Sequence, residues 1–158
     1  MKKYRLTEET TKVGNRPLYR IQALRDFGNV KEGDIGGYIE SEKNLSQDGN
    51  AWVSGDARVY GDACVYGNAR VYGDARFYGN ADIKKTGDIC SMSGFGSEYR
   101  TTTAFRTKNG DVHVSCGCFQ GNLEAFCQRV ESTHGNNLYG REYKKMIEML
   151  KIHFEVEP

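Results

Sequence analysis

Three sets of side chains in this 158-residue chain are of types that could do chemistry. His113, His134 and His153 are candidate general bases. Cys116, Cys118 and Cys127, near His113 and His134 in sequence, offer donors to zinc. A run of Arg and aromatic residues from Trp52 to Tyr78 offers planar donor pairs for phosphate and flat faces for a base. The first two sets have simpler structural explanations. One residue separates Cys116 from Cys118, where zinc knuckles use two to four. In an alternating strand Val112, Val114, Cys116 and Cys118 share a core face, and Cys127 joins Phe126 and Val130 on an apolar helix stripe headed by Leu123. His134, beside Gly135, reads as a helix-terminal residue, the alternative being a base near Tyr139 or Arg141. No Ser-His-Asp spacing, phosphate-binding glycine loop or paired-carboxylate signature is present, so the expectation is a non-enzyme with no cofactor and no metal site.

The elements that must position the Arg and aromatic residues come from a repeat. From Gly49 to Lys84 the chain reads GNAWVS, GDARVY, GDACVY, GNARVY, GDARFY, GNADIK. Gly opens each hexad, Asp or Asn follows, Ala is third, and an aliphatic or Phe is fifth. A period of six fits neither a helix nor a long plain strand. Gly-Asp and Gly-Asn are turn pairs, and Gly tolerates the positive φ of a tight corner. A short extended side and a corner, repeated three times, closes a triangular coil with Ala57, Val59 and their equivalents facing inward. Looser copies flank the run at Gly33–Tyr38 and Gly87–Met92.

Composition bounds the rest. There are 19 Gly but 2 Pro, so the excess glycine serves regular structure rather than irregular loop. With 22 Lys and Arg against 21 Asp and Glu, no charge excess points to long nucleic acid. The hexads themselves balance Asp56, Asp62, Asp74 and Asp82 against Arg58, Arg70, Arg76 and Lys84. No apolar run approaches the ~18–20 residues of a membrane span, no signal-peptide core follows Met1-Lys2-Lys3, and five Cys lack a disulfide-framework spacing. A cytoplasmic protein, with reduced thiols and no membrane partner, is expected.

The hexads resemble the hexapeptide-repeat, left-handed parallel β-helix family, in which an aliphatic residue stands four before a small one: Val53 to Ala57, Val59 to Ala63, Val65 to Ala69, Val71 to Ala75. The resemblance implies three hexads per coil, so that residues 18 apart stack, and side-by-side packing into trimers. Arg58 then lies beside Arg76, Tyr60 beside Tyr78, Trp52 beside Arg70 and Cys64 beside Asp82. Ala23–Val30, Gly36–Ser41, Cys116–Glu124, Thr133–Gly135 and Tyr139–Tyr143 further resemble segments of bacteriophage-encoded hexapeptide-repeat proteins, which implies the cytoplasm of a bacterial host. Acyltransferases of the repeat family use a His near the coils, and its carbonic anhydrases use three His on a metal. Here every His lies outside the repeat.

The expected fold class is therefore mainly β: an N-terminal β cap (1–32), a left-handed β-helix (33–92) and a C-terminal ββαα module (98–158). Gly14-Asn15 turns a hairpin in the cap, and Ser91–Ser97 reads as a linker. Lys108-Asn109-Gly110 turns the C-terminal hairpin. One helix starts at an Asn122 cap and ends at Gly135; a second spans about Leu138–Phe154, with Met149 and Ile152 off its core stripe. The functional expectation is a phage-type accessory protein, a homo-oligomer with a trimer favoured. It would bind and sequester a small nucleotide-derived signal of host defence through Arg58, Arg76, Tyr60, Tyr78, Trp52 and Arg70. The alternatives are a protein-interaction scaffold without a small ligand and a degenerate, acyltransferase-like binder of CoA.

Overall fold

The computed structural model describes residues 1–156. Gly14, at φ +60°, turns β1 (Tyr4–Val13) into antiparallel β2 (Arg16–Ala23), and β2 pairs antiparallel with β3 (Ile35–Ile39). Each hexad then contributes one two-residue strand: β4 (Trp52–Val53), β5 (Arg58–Val59), β6 (Cys64–Val65), β7 (Arg70–Val71), β8 (Arg76–Phe77) and β9 (Asp82–Ile83). Parallel pairs form at the 18-residue spacing, β4 with β7, β5 with β8 and β6 with β9, while β5 also pairs with β3. Every third-position Ala and fifth-position Val, Phe or Ile of the hexads is at most 2% exposed, so alternation within each short strand sends these residues into one core. Burying each larger aliphatic contributes about 1.5–3 kcal/mol.

The fold class differs from the sequence expectation of a left-handed parallel β-helix. The β structure is divided among several small sheets, mixed and antiparallel: a five-stranded sheet in the order β1-β2-β3-β5-β8, a four-stranded sheet, and the two-stranded pairs β4-β7 and β6-β9. Two-residue strands make few ladder bonds, so the longer strands at either end dominate the sheet structure. The largest sheet is mixed because the antiparallel β1-β2-β3 set is joined to the parallel β3-β5-β8 set.

The four-stranded sheet runs β10 (Ile89–Phe95), β11 (Arg100–Arg106), β12 (Val112–Cys116), β13 (Phe119–Asn122), all antiparallel. Ser91–Ser97, expected as a linker, instead supplies most of β10, so the ββαα module has four strands. Its Ser and Gly give no apolar alternation, and pairing with β11 decides the conformation. The β11–β12 hairpin turns at Lys108-Asn109-Gly110 as its Asn-Gly signals. Helix α1 (Leu123–His134) is capped by Asn122, whose side chain accepts from Ala125 N–H at 2.8 Å, and it stops at Gly135. Asn137 caps α2 (Leu138–His153) in the same way, accepting from Gly140 N–H at 2.9 Å.

The sheet has two differently occupied faces. Ala104, Val112 and Val114 pack with Phe126, Val130, Met146 and Leu150 of the helices, while Phe105 packs on Phe77 and Tyr78 of the hexads. Cys116 and Cys127 lie at the edge of the helical core, but Cys118 is exposed. Gly117, at φ +59°, turns the chain there and breaks the alternation that would have buried it. Among the described residues, no helix is long and apolar enough to cross a membrane.

Candidate functional site

Strand β8 ends the five-stranded sheet, and β11 crosses its open side: Arg76 N–H donates to Thr103 Oγ1 at 3.3 Å. Beside this crossing lies a cleft of about 420 Å³. One wall carries Asp56 and Arg58, with Asp74 and Arg76 next to them; the other carries Arg100, Thr101, Thr103, Ser115 and Gly117. The juxtaposition of Arg58 with Arg76 follows from the 18-residue register, because outward residues on paired parallel strands stand side by side. Arg100 reaches them from the four-stranded sheet. Gly117 is favoured there by its φ of +59°, and Nη1 of Arg100 occupies the space a Cβ would take.

The electrostatics of the cleft are unbalanced. Among the described residues, the side chains of Arg58, Arg76 and Arg100 make no ion pair or hydrogen bond. Arg58 Nε is buried with no partner. Asp56 is already engaged by Arg20 Nη2 at 3.0 Å, leaving Asp74 as the carboxylate of the lining without an ion pair. Three guanidiniums thus converge on a cavity with one uncommitted acid, a donor-rich arrangement for an anion. The lining contains no His or Cys.

The six residues expected at the site are divided by the structure. Arg58 and Arg76 line the cleft. Tyr60 and Tyr78 follow them on the same outward face and stack, ring centroids 5.2 Å apart and 21° from parallel. Burial raises the Tyr60 phenol pKa, opposed by the fields of Arg76, Arg16 and Arg58. Tyr78 packs edge-on to Phe105 and His113 with its hydroxyl toward Ser115, while the buried Nε2 of His113 lacks a partner. Burial also lowers the His113 pKa. Trp52 and Arg70 pair with each other, but on the separate β4-β7 sheet. Trp52 is 4% exposed, enclosed edge-on by Tyr4 and Phe27, so its face is core rather than ligand surface. Arg70 lies over Gly28, where a Cβ would be 2.5 Å from Nη2.

Asp56 and Asp74 of the hexads, and Arg100, Thr101, Thr103, Ser115 and Gly117 of the other sheet, are the lining residues that sequence reasoning missed. Thr101, Thr103 and Ser115 share one face of the β11–β12 hairpin, and nothing local states which surface that face would meet. His134 and His153 stand away from this cleft: His134 stacks on Tyr143, and His153 Nε2 is 2.8 Å from the Gly87 carbonyl. Among the described residues, no group of three or more His, Cys, Asp or Glu is placed to hold a metal ion.

No protein-family model matches the chain. It is similar to YdcK, an uncharacterized acetyltransferase of Escherichia coli K12, at 39% identity over 61 residues. That alignment takes in 34% of this chain and 19% of the relative, so the chain spans about a fifth of the length of the curated protein it matches.

Proposed function

We propose that the protein binds a small nucleotide-derived ligand without turning it over, holding its phosphate between Arg58, Arg76 and Arg100. The observation that carries this reading is the convergence of three guanidiniums without ion pairs on one cleft, with Arg58 Nε buried and unpartnered. A buried polar group left unpaired costs about 1–3 kcal/mol, and a phosphate oxygen would remove that cost. The lining holds no His or Cys, and one of its two carboxylates, Asp56, is already held by Arg20. The resemblance to phage hexapeptide-repeat proteins supports a defence signal of the bacterial host as the ligand, sequestered by an oligomer. Tyr72, 61% exposed on a hexad, suits a subunit contact.

The test is native mass spectrometry of the protein mixed with cyclic nucleotides, ADP-ribose derivatives and acyl-CoAs. A stoichiometric, chemically unchanged nucleotide on an oligomer, lost in Arg58→Ala and Arg76→Ala variants, is the expected result. Binding that survives both substitutions refutes the site, and a monomer refutes the oligomer. A second reading, CoA binding, draws on the similarity to an acetyltransferase of Escherichia coli, since the same arginines would receive the phosphates of CoA. Selective retention of acyl-CoA from the same pool would favour it.

A further inference from the structure

A second, smaller pocket of about 200 Å³ adjoins the arginine cleft, and Arg100 lines both. Its walls are of a different kind. They include Phe119, Phe126, His134 and Tyr143, with Arg129 at the side. The His134 ring stacks on that of Tyr143 at 5.8 Å and 24°, and the Arg129 guanidinium lies over Phe119 at 5.4 Å. Among the described residues, the Arg129 side chain has no ion pair or hydrogen bond. The volume is about that of seven water molecules, enough for one ring system. Phe119, Phe126 and Tyr143 belong to the core and form the floor, so the half-buried His134 ring and the exposed Arg129 guanidinium, which has no polar partner, are the flat groups open to a heterocycle. The Arg100 guanidinium rests where a Cβ on Gly117 would be, so the glycine leaves it room at the shared boundary.

We propose that this pocket receives the base of a nucleoside diphosphate whose phosphates lie in the neighbouring cleft, with Arg100 serving both parts. The proposal rests on the phosphate-binding reading above and adds the ligand's second half. Arg129 is then a specificity residue: it contacts the base and leaves the phosphates to Arg58, Arg76 and Arg100.

Calorimetric titration of the full chain with ADP and, separately, with inorganic pyrophosphate tests this. In the wild type ADP binds more tightly than pyrophosphate. Arg129→Ala weakens ADP about tenfold, the order of one stacking contact, and leaves pyrophosphate within about twofold. Arg58→Ala weakens both probes. The His134 ring resonances shift on addition of ADP and stay fixed on addition of pyrophosphate. ADP binding no tighter than pyrophosphate, or insensitive to Arg129→Ala, overturns the base pocket; if Arg58→Ala still weakens both probes, the phosphate cleft stands. A wild type that binds neither probe overturns the phosphate cleft, and the base pocket with it.

Discussion

Replacing Arg76 by Gln should stabilise the ligand-free protein, because the cleft holds more positive charge than it neutralises. Arg58 and Arg76 stand on adjacent parallel strands, a spacing of ~4.8 Å, and neither has an ion pair among the described residues. Two unit charges about 6 Å apart repel by about 0.7 kcal/mol in water and about 3 kcal/mol at an effective dielectric of 20. Arg76 is exposed, so the gain lies near the lower bound, about 1 kcal/mol at low ionic strength. For a chain of this size that raises Tm by roughly 2–4 °C. Glutamine keeps the first methylenes and a polar end, the Arg76 side chain is exposed and its backbone N–H bond to Thr103 is unaffected, so little packing is lost. Differential scanning calorimetry at 20 mM and 1 M salt reads the effect. The gain should vanish at 1 M, where the Debye length is about 3 Å. Pyrophosphate at about ten times its Kd should stabilise the wild type by about 1.4 kcal/mol and the variant by much less. Destabilisation of ligand-free Arg76→Gln at low salt would refute the reasoning, since it would mean that the arginine supports the fold.

Lys3 is buried with its ammonium donating to the Ala51 carbonyl at 2.7 Å, and burial pushes its pKa down to about 8. Between pH 8 and its unfolded value near 10.5 the unfolded chain binds the extra proton, so this group makes stability rise with pH. Urea titrations from pH 7.5 to 9.5 should show the wild type gaining on Lys3→Met by about 1–2 kcal/mol after allowance for screening; parallel curves would contradict it. Asn44 is fully buried, accepts from Glu40 N–H and Ser41 N–H, and donates to the Gly61 and Ala63 carbonyls. Asn44→Ala should therefore cost about 3 kcal/mol in urea denaturation, and a loss under 1 kcal/mol would show that water replaces these bonds. At Gly55, φ +63°, a Cβ would lie 2.9 Å from the Gly73 carbonyl oxygen, whereas at Gly73, φ +71°, it would meet nothing within 4 Å. Gly55→Ala should thus cost at least 1 kcal/mol more than Gly73→Ala, with chemical denaturation of both variants as the check.

Local chemistry determined much of this protein. The hexad pattern alone assigns Ala57 and Val59 to the interior and Arg58 and Tyr60 to the exterior, because alternation and glycine corners leave few other conformations. Asn122 and Gly135 mark the ends of α1 because a helix must satisfy its terminal amides and leave through a left-handed residue. The Arg58–Arg76 half of the cleft was legible for the same reason, since a fixed repeat puts residues 18 apart on paired strands. Tertiary structure decided what a repeat cannot encode. The antiparallel joining of β1, β2 and β3 made the largest sheet mixed, and pairing with β11 turned the Ser91–Ser97 stretch into strand. Packing of Phe27 and Tyr4 took Trp52 from the surface into the core. Arg100 completes the cleft from 24 residues beyond Arg76, on a sheet whose outer face meets β8. Its side chain carries no local mark of that destination, because the contact depends on where two separately formed sheets come to rest.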